Sequence, residues 1–259
     1  MKIVSLNLWG GRVREPLAWF LEMYRESIDI FCFQEVFHDA SLKTRGGNAA
    51  KGSYVHLKVD LDLYERLRVA LPEHVGYLCP TGVDYYGIAT FVRRGLEVRA
   101  SGDLSIYDNL EYTGRSGNHG RRLQWVDIGT EPGGSLRVVN LHGLWNGQGK
   151  TDTPDRLEQS RRIRSFMDST DLPQVVCGDF NLNPETESLR IVAEGMRHLI
   201  EEHEVASTRT SFYEKPGRFA DYVFTSPGLE VTSFEVLPEE VSDHAALLVE
   251  VELQKKSRH

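Results

Sequence analysis

The chain has 259 residues, of which 40% are hydrophobic and 26% are charged, so it has enough apolar material for a core and is not a disordered chain. Thirty basic residues against 38 acidic ones give a formal net charge of −8, which disfavours tight binding to long nucleic acid by bulk charge alone. Because no run of about 18 apolar residues is present, we expect no transmembrane helix.

The start of the chain and its cysteines bear on its compartment. Met1 to Leu6 form too short an apolar stretch for a signal peptide, so we expect a cytoplasmic protein with no stable membrane insertion. Cys32, Cys79 and Cys177 are odd in number and lie in apolar contexts. We therefore expect small buried hydrophobic side chains, and neither a disulfide set nor a zinc site.

Short apolar runs bounded by Gly, Pro, Asp or Asn predict eight β-strands. In chain order these are Lys2 to Leu8, Ile28 to Gln34, Gly87 to Val92, Leu123 to Ile128, Leu136 to Leu141, Gln174 to Cys177, Phe219 to Phe224 and Ala245 to Val251. After Pro16, apolar residues from Leu17 to Ile28 follow the spacing of an amphipathic helix. A second helix is predicted from Thr153-Pro154 to about Asp168.

No repeat, low-complexity tract or linker divides the chain, so residues 1–259 are expected to form one domain. Strands outnumber helices and come in clusters. This pattern predicts an α/β (α+β) fold, a four-layer α/β/β/α sandwich of two packed, mostly antiparallel sheets flanked by helices. Two segments rich in Gly, Asn, Lys and Thr, Phe37 to Ser53 and Gly143 to Asp155, are predicted loops, where substrate contacts are common.

Polar residues stand at or beside the ends of the predicted strands, where side chains can converge at one rim of the sheets. They are Asn7, Gln34-Glu35, His142, Asp179 with Asn181, Asp221 and Asp243-His244. Carboxylate oxygens bind a hard cation, a base activates water, and donors stabilise phosphoryl charge. The set therefore predicts phosphoester hydrolysis. No thiolate or imidazole cluster has zinc-like spacing.

Six short motifs that carry these residues resemble, in order, those of the endonuclease/exonuclease/phosphatase superfamily. They are Ser5-Leu6-Asn7, Phe33-Gln34-Glu35-Val36-Phe37, Asn140-Leu141-His142-Gly143, Gly178-Asp179-Phe180-Asn181, Asp221-Tyr222-Val223-Phe224 and Ser242-Asp243-His244. The resemblance covers nearly the whole chain, from Asn7 to His244. It implies a Mg²⁺-dependent phosphoesterase, with Mn²⁺ as a substitute ion, that hydrolyses a phosphodiester by in-line attack of water.

The resemblance also implies roles for the metal side of the site and for the water. Glu35 is expected to be the principal Mg²⁺ ligand, and Asn7 and Asp243 are expected to complete the shell directly or through water. Asp179 is expected to position or deprotonate the nucleophilic water. Asn181 is expected to hold that carboxylate and the phosphate.

The two histidines are assigned to the phosphate. His244 is expected to bind the scissile phosphate, with its ring oriented by Asp221. His142 is expected to donate to a non-bridging oxygen or to help protonate the leaving group, and Gln34 to give structural support. Trp9 stands where abasic-site endonucleases have an acidic residue. Because His142 also replaces a tyrosine of those enzymes, the chain is more similar to the deoxyribonuclease and sphingomyelinase branches.

The sequence leaves the substrate and the oligomeric state open. Candidate substrates are nucleic acid, nucleotides, and phospholipid or sugar-phosphate headgroups. The alternatives are a phosphomonoesterase that acts on a small soluble phosphate, and a catalytically inactive binding module on the same scaffold. Loop residues that could contact substrate are Trp9, Arg115, Arg121, Arg122, Trp145, Lys150 and Arg156, although tryptophans are common in cores and loop basic residues are commonly solvated.

Overall fold

A computed structural model describes residues 1–39, 58–83, 85–112, 117–130 and 133–253. The strands in these ranges are β1 (Lys2–Asn7), β2 (Ile30–Phe37), β3 (His74–Pro80), β4 (Tyr86–Arg93), β5 (Val98–Tyr107), β6 (Arg121–Thr130), β7 (Gly134–His142), β8 (Gln174–Asp179), β9 (Arg197–His198), β10 (Asp221–Thr225), β11 (Leu229–Val236) and β12 (Leu247–Leu253). The helices are α1 (Arg14–Tyr24), α2 (Leu63–Ala70), α3 (Pro154–Met167), α4 (Glu187–Ala193) and α5 (Leu199–Glu202), with a 3-10 turn at Trp9–Gly11.

The strands form two six-stranded sheets, in the orders β11-β12-β1-β2-β4-β3 and β5-β6-β7-β8-β10-β9. Each sheet contains one parallel pair, β1 with β2 and β7 with β8, and its other neighbours are antiparallel. The predicted sandwich of mostly antiparallel sheets is confirmed. The carboxyl ends of the parallel strands and the amino ends of β10 and β12 lie at one edge of the sheets, which we call the active-site edge.

Helices cover the outer face of each sheet. Leu17, Phe20 and Leu21 of α1 pack with α2 against the first sheet, and Ile163 and Met167 of α3 pack against the second. Both predicted helices are confirmed. The first ends at Tyr24 and so does not reach Ile28. The second begins at Pro154, where the Thr153 side chain accepts a hydrogen bond from the Arg156 backbone N–H at 3.3 Å as an N-cap.

A buried polar contact joins the two sheets. Gln34 Nε2 donates to Asn140 Oδ1 at 2.8 Å, and Asn140 Nδ2 lies 3.3 Å from the backbone oxygens of Phe33 and Ala89. A buried amide is costly unless its donors and acceptors are satisfied. Gln34 supports the contact between the sheets through Nε2, whereas its Oε1 is buried without a hydrogen-bond partner within the described residues.

Several predicted strand boundaries are wrong, and two of them concern site residues. β2 does not end at Gln34-Glu35 but continues to Phe37, and its register with β4 shifts between Phe33 and Val36. Within this irregularity Glu35 adopts a φ of 57°, in the left-handed region. A bulge inserts an extra residue and changes the direction of a side chain without ending the strand. β10 begins at Asp221, so this residue is part of the strand, whereas Phe219 is not.

The remaining predictions concern cysteines, membrane spans and loops. All three cysteines are free and buried, as predicted. Among the described helices, none has both the length and the apolar character that a membrane span requires. Most of the predicted loop from Phe37 to Ser53, and also Arg115, lies outside the described residues.

Candidate active site

All the predicted site residues lie at the active-site edge. The register of the sheets places Asn7 opposite Gln34, His142 opposite Asp179, and Asp179 opposite Asp221. His244 lies in the segment before β12 and forms an isolated bridge with Arg209. Glu35 is partly exposed, and the other seven residues, Asn7, His142, Asp179, Asn181, Asp221, Asp243 and His244, are buried.

Asp179 is the centre of this arrangement. Its Oδ2 accepts a hydrogen bond from Asn7 Nδ2 at 2.9 Å. The same oxygen lies 3.6 Å from His142 Nε2 and 3.7 Å from His244 Nε2. Burial acts to raise the pKa of Asp179, but His244 and then His142 outweigh it, and the pKa lies well below its ordinary value. An ionised, weakly basic carboxylate favours the orientation of a water molecule over its prior deprotonation.

Asn181 contacts Asp179 through its backbone. Its N–H donates to Asp179 Oδ1 at 2.9 Å, and its φ of 54° lies in the left-handed region. The Asn181 side chain donates to the backbone oxygen of Gly143 at 3.3 Å. The residue therefore fixes the carboxylate as predicted, but by its backbone N–H, while its side chain ties the loop after β8 to the loop after β7.

The His244 ring is oriented by Asp221. Its Nδ1 lies 2.8 Å from both carboxylate oxygens of Asp221. Burial acts to lower the pKa of His244, but Asp221 and Asp179 raise it above its ordinary value. With Nδ1 bonded to Asp221, the ring presents Nε2 toward Asp179 and Asp243, and the raised pKa favours its protonated form. This is a charged donor in a fixed orientation.

His142 is held by Tyr86, a residue that the sequence did not single out. The Tyr86 hydroxyl lies 3.3 Å from His142 Nδ1. Burial raises the pKa of Tyr86 well above its ordinary value, whereas burial and then Arg121 lower the pKa of His142 well below its own. Protonated Tyr86 can donate a hydrogen bond to Nδ1, and the neutral His142 tautomer that accepts this bond carries its N–H on Nε2. Such a ring suits donation to a phosphate oxygen better than protonation of a leaving group.

Carboxylates are in excess beside Glu35. Burial raises the pKa of Glu35, and the charges of Asp243 and Asp179 add to the increase while His244 opposes it. Asp243 Oδ1 is buried and has no hydrogen-bond partner among the described residues. Oxygen ligands that repel one another and lack partners fit a divalent cation, whose charge would relieve the repulsion.

Asn7 is oriented differently from the carboxylates. Its Nδ2 faces Asp179 and lies 3.4 Å from Glu35 Oε1, while its Oδ1 accepts from the backbone N–H of Trp9 at 2.9 Å. A cation needs the amide oxygen, which is already bonded to Trp9. Of the two predicted ways for Asn7 to support the ion, contact through water therefore fits better.

A second set of side chains also has the spacing of a metal site. One ligand atom each from Asp179, Asp221 and His244 lie within 4.8 Å of one another, and all three residues are buried. The 2.8 Å separations between His244 Nδ1 and Asp221 are those of a charge-assisted hydrogen bond. Because hard cations prefer oxygen, we interpret this set as a hydrogen-bonded chain.

The candidate arginines have different environments. Arg121 is only 2% exposed, its Nη2 donates to Gly117 O at 2.9 Å, and its Nε and Nη1 have no hydrogen-bond partner in the described part of the chain. It lies close enough to His142 to lower the pKa of that ring. Arg122 pairs with Asp103 on the surface, and Arg156 donates to loop carbonyls. Neither Arg122 nor Arg156 presents a free group to the site.

Lys150 and Arg209 complete the site on the His244 side. Lys150 Nζ donates to Phe219 O at 2.6 Å, and Arg209 Nη1 lies 3.6 Å from Asp243 Oδ2. Both cations lie against the ring of Tyr213, with Arg209 Cζ 4.1 Å and Lys150 Nζ 5.3 Å from its centroid. The sequence offered no local signal for Arg209 or Tyr213, because neither ends a predicted strand.

The tryptophans have no defined substrate role. The Arg12 guanidinium lies over the Trp9 ring, with Arg12 Cζ 4.5 Å from the ring centroid. Trp145 is partly exposed, and its indole Cδ1 would lie 2.7 Å from a Cβ atom added at Gly117. Trp9 follows the end of β1 by two residues and Trp145 follows the end of β7 by three.

The solved structures with a similar fold include the following three. An endonuclease/exonuclease/phosphatase from Bacteroides vulgatus superposes with a TM-score of 0.72 at 20% identity over 98% of both chains. A mannosyl-6-phosphatase from Bacteroides thetaiotaomicron superposes with a TM-score of 0.71 at 20% identity over 98% of this chain and 100% of that one. The human Nocturnin catalytic domain with bound sulfate superposes with a TM-score of 0.66 at 15% identity over 98% of this chain and 93% of that one. At these identities the similarity is one of fold.

The sequence itself was also compared with curated proteins and with family profiles. No curated protein matches the chain. Residues 4–244 match the profile described as the endonuclease/exonuclease/phosphatase family, a span that contains all the predicted site residues. The chain therefore belongs to the endonuclease/exonuclease/phosphatase family.

Proposed function

We propose that this protein is a Mg²⁺-dependent phosphodiesterase, with Mn²⁺ as a substitute ion, that hydrolyses its substrate by in-line attack of water. The observation that supports this most directly is the position of Asp179, an ionised buried carboxylate whose Oδ2 lies within 4 Å of Nε2 of both histidines, at 3.6 Å from His142 and 3.7 Å from His244. A water held by this carboxylate would lie beside two donors suited to a phosphate.

Each side chain then has one task. Asp179 orients the water, with its own position fixed by Asn7 and the Asn181 backbone. Charged His244 binds a non-bridging oxygen of the phosphate, and neutral His142 donates its Nε2–H to another. Glu35 and Asp243 would hold a divalent cation, which would supply charge stabilisation to the phosphoryl oxygens.

Arg121 supports the same reaction from the His142 side. A buried guanidinium without a carboxylate partner is unfavourable unless an anion binds it. Its unpaired Nε and Nη1 suit the phosphate or the departing oxygen. This donor set would also suit a terminal phosphate, so a phosphomonoesterase remains the alternative enzyme, as in the mannosyl-6-phosphatase with a similar fold.

A panel of phosphodiesters and phosphomonoesters, assayed with Mg²⁺, Mn²⁺ and EDTA, tests the proposal. We expect diester turnover that requires the metal. Asp179→Asn should lower turnover by about a hundredfold or more because it removes the group that orients the water. The exposed Asp103→Asn variant is the matched control. Absence of metal-dependent turnover on every ester would instead indicate a binding module.

A further inference from the structure

We propose that Lys150 and Arg209 bind a second phosphate of the substrate, so that the protein acts on phosphodiesters that carry a phosphate monoester on the same unit. This rests on the proposed function, because it assumes that a scissile diester lies at Asp179. It adds the class of substrate that the site selects.

The Lys150 ammonium group is hydrogen-bonded to a segment other than its own loop. Nζ donates to the backbone oxygen of Phe219, two residues before Asp221, although an ammonium group has three donors. Burial and then the charge of Arg209 lower the pKa of Lys150 to about 8. Two buried cations that destabilise each other form a site that an anion would stabilise.

Arg209 also has unused hydrogen-bonding capacity. Its side chain is 7% exposed, and its Nε has no hydrogen-bond partner within the described ranges. The contact of Nη1 with Asp243 Oδ2, at 3.6 Å, is longer than a hydrogen bond. A phosphate offers several acceptor oxygens to such a guanidinium.

Neither cation is needed to hold its loop. The Lys150 backbone oxygen accepts from Asn183 N at 2.9 Å, and Arg156 ties the same loop together through the backbone oxygens of Gly149 and Thr151, both at 2.6 Å. Around Arg209, Ala245 N donates to Thr208 O at 3.0 Å. The backbones are therefore fixed independently, and the two side chains are available for a ligand.

Nor does the scissile phosphate of a diester need these charges. It carries a single negative charge and already has His244, His142 and Arg121 as candidate donors, apart from the cation. Asp221 is paired with His244 and Asp179 with Asn7, and the charge of Asp243, whose Oδ2 lies 3.6 Å from Arg209 Nη1, would be taken up by the proposed cation. The additional positive charge on the His244 side therefore matches additional negative charge on the substrate.

The test uses two chromogenic substrates that differ only in the second phosphate, thymidine 3′-(p-nitrophenyl phosphate) with and without a 5′-phosphate, in saturating Mg²⁺. We expect wild-type kcat/KM to be at least about tenfold higher for the phosphorylated substrate, since a charged hydrogen bond contributes on that scale. Lys150→Met and Arg209→Met should each reduce this ratio toward one. Lys150→Arg should preserve it, and so should Lys215→Met, which removes an exposed lysine from the same loop as Tyr213.

Because the wild-type ratio needs no variant, poor folding of a variant does not affect the test. Equal kcat/KM for both substrates in the wild type would overturn the second-phosphate site and leave the phosphodiesterase assignment intact. A ratio that Lys150→Met and Arg209→Met leave unchanged would overturn it as well. If neither substrate nor any other ester is hydrolysed, the proposed function itself fails.

Discussion

The properties of Glu35 distinguish two candidate positions for a divalent cation. It is partly exposed and adopts a left-handed backbone at a bulge, with its pKa raised by burial and by Asp243 and Asp179. The rival set, Asp179 with Asp221 and His244, has metal-like spacing but is already hydrogen-bonded. The two placements predict opposite results for two isosteric substitutions.

We expect Glu35→Gln to weaken Mg²⁺ binding by about tenfold or more, because it removes a proposed ligand. Asp221→Asn should weaken it much less, because Asp221 is bonded to His244, which is not a ligand in this placement. Isothermal titration of Mg²⁺ into both variants and the wild type measures this. Loss of binding in Asp221→Asn with normal binding in Glu35→Gln would move the ion to the His244 side.

Arg121 and Arg122 are neighbours in sequence with different environments. Arg121 is buried beside His142 with two unpaired donors, and Arg122 is bonded to Asp103 at the surface. Arg121→Gln should lower kcat/KM by about tenfold or more through loss of a charged donor, whereas Arg122→Gln should change it by less than about twofold. Steady-state kinetics on the preferred ester give both values. Equal effects would show that Arg121 does not face the substrate.

At the scale of elements, the sequence predicted the interior strands and missed the edges. The eight predicted strands correspond to β1, β2, β4, β6, β7, β8, β10 and β12. The four missed strands, β3, β5, β9 and β11, are the outer strands of the two sheets. Interior strands are continuous apolar runs because both faces are covered, but an edge strand such as β5, with most of its residues exposed or partly exposed, has no such run.

The candidate site also contains residues that the local sequence predicted and residues that it did not. Asn7, Asp179 and His142 follow apolar runs, so local sequence placed them at strand ends. Arg209 reaches the site through its bridge to His244, 35 residues later in the sequence, and no local pattern encodes that pairing. Tyr86 lies within an otherwise apolar strand, where a tyrosine resembles any other core residue.

The loop between β7 and α3 depends on Arg156. This side chain is fully buried and donates to the backbone oxygens of Leu144, Gly149 and Thr151. Arg156→Met should leave these carbonyls unsatisfied and lower the free energy of unfolding by about 3 kcal/mol or more. It should also lower turnover, since the loop carries Lys150.

Arg161, exposed on the same helix in an ion pair with Glu158, provides the matched control. Arg161→Met should change stability by less than about 1 kcal/mol. Urea unfolding of the two variants tests the difference. If Arg156→Met were as stable as Arg161→Met, the guanidinium would not be what holds this loop.

At the scale of the whole molecule, the pH dependence of unfolding reflects histidines that are buried without charge. His74 lies on β3, an outer strand of its sheet, and outside the proposed site. Its Nε2 lies 3.0 Å from Ile28 O, and its Nδ1 is buried without a hydrogen-bond partner in the described residues. Burial lowers the pKa of His74, with Arg93 adding to the effect and the bond to Ile28 opposing it. The folded state therefore keeps this ring neutral at a pH where the unfolded chain binds a proton.

The direction of the pH effect on stability follows from this difference in proton binding between the folded and unfolded states. Above the unfolded pKa, about 6.5, both states are neutral and His74 adds no pH dependence. As the pH falls below that value, the unfolded chain binds a proton that the folded chain does not bind. The free energy of unfolding therefore decreases until the folded pKa is reached. Glutamine can donate to Ile28 O without titrating. His74→Gln should therefore match the wild type most closely at pH 7.5 and become relatively more stable at pH 5.

Melting temperatures of both proteins in EDTA, measured from pH 7.5 to pH 5, give the difference directly. EDTA prevents metal binding from contributing its own pH dependence. His142 and His119, whose pKa values burial also lowers, affect both proteins alike, so they cancel in the difference. His203→Gln, at an exposed position, controls for the substitution itself. A difference between wild type and His74→Gln that stays constant across this range would mean that His74 takes up its proton equally well in the folded state.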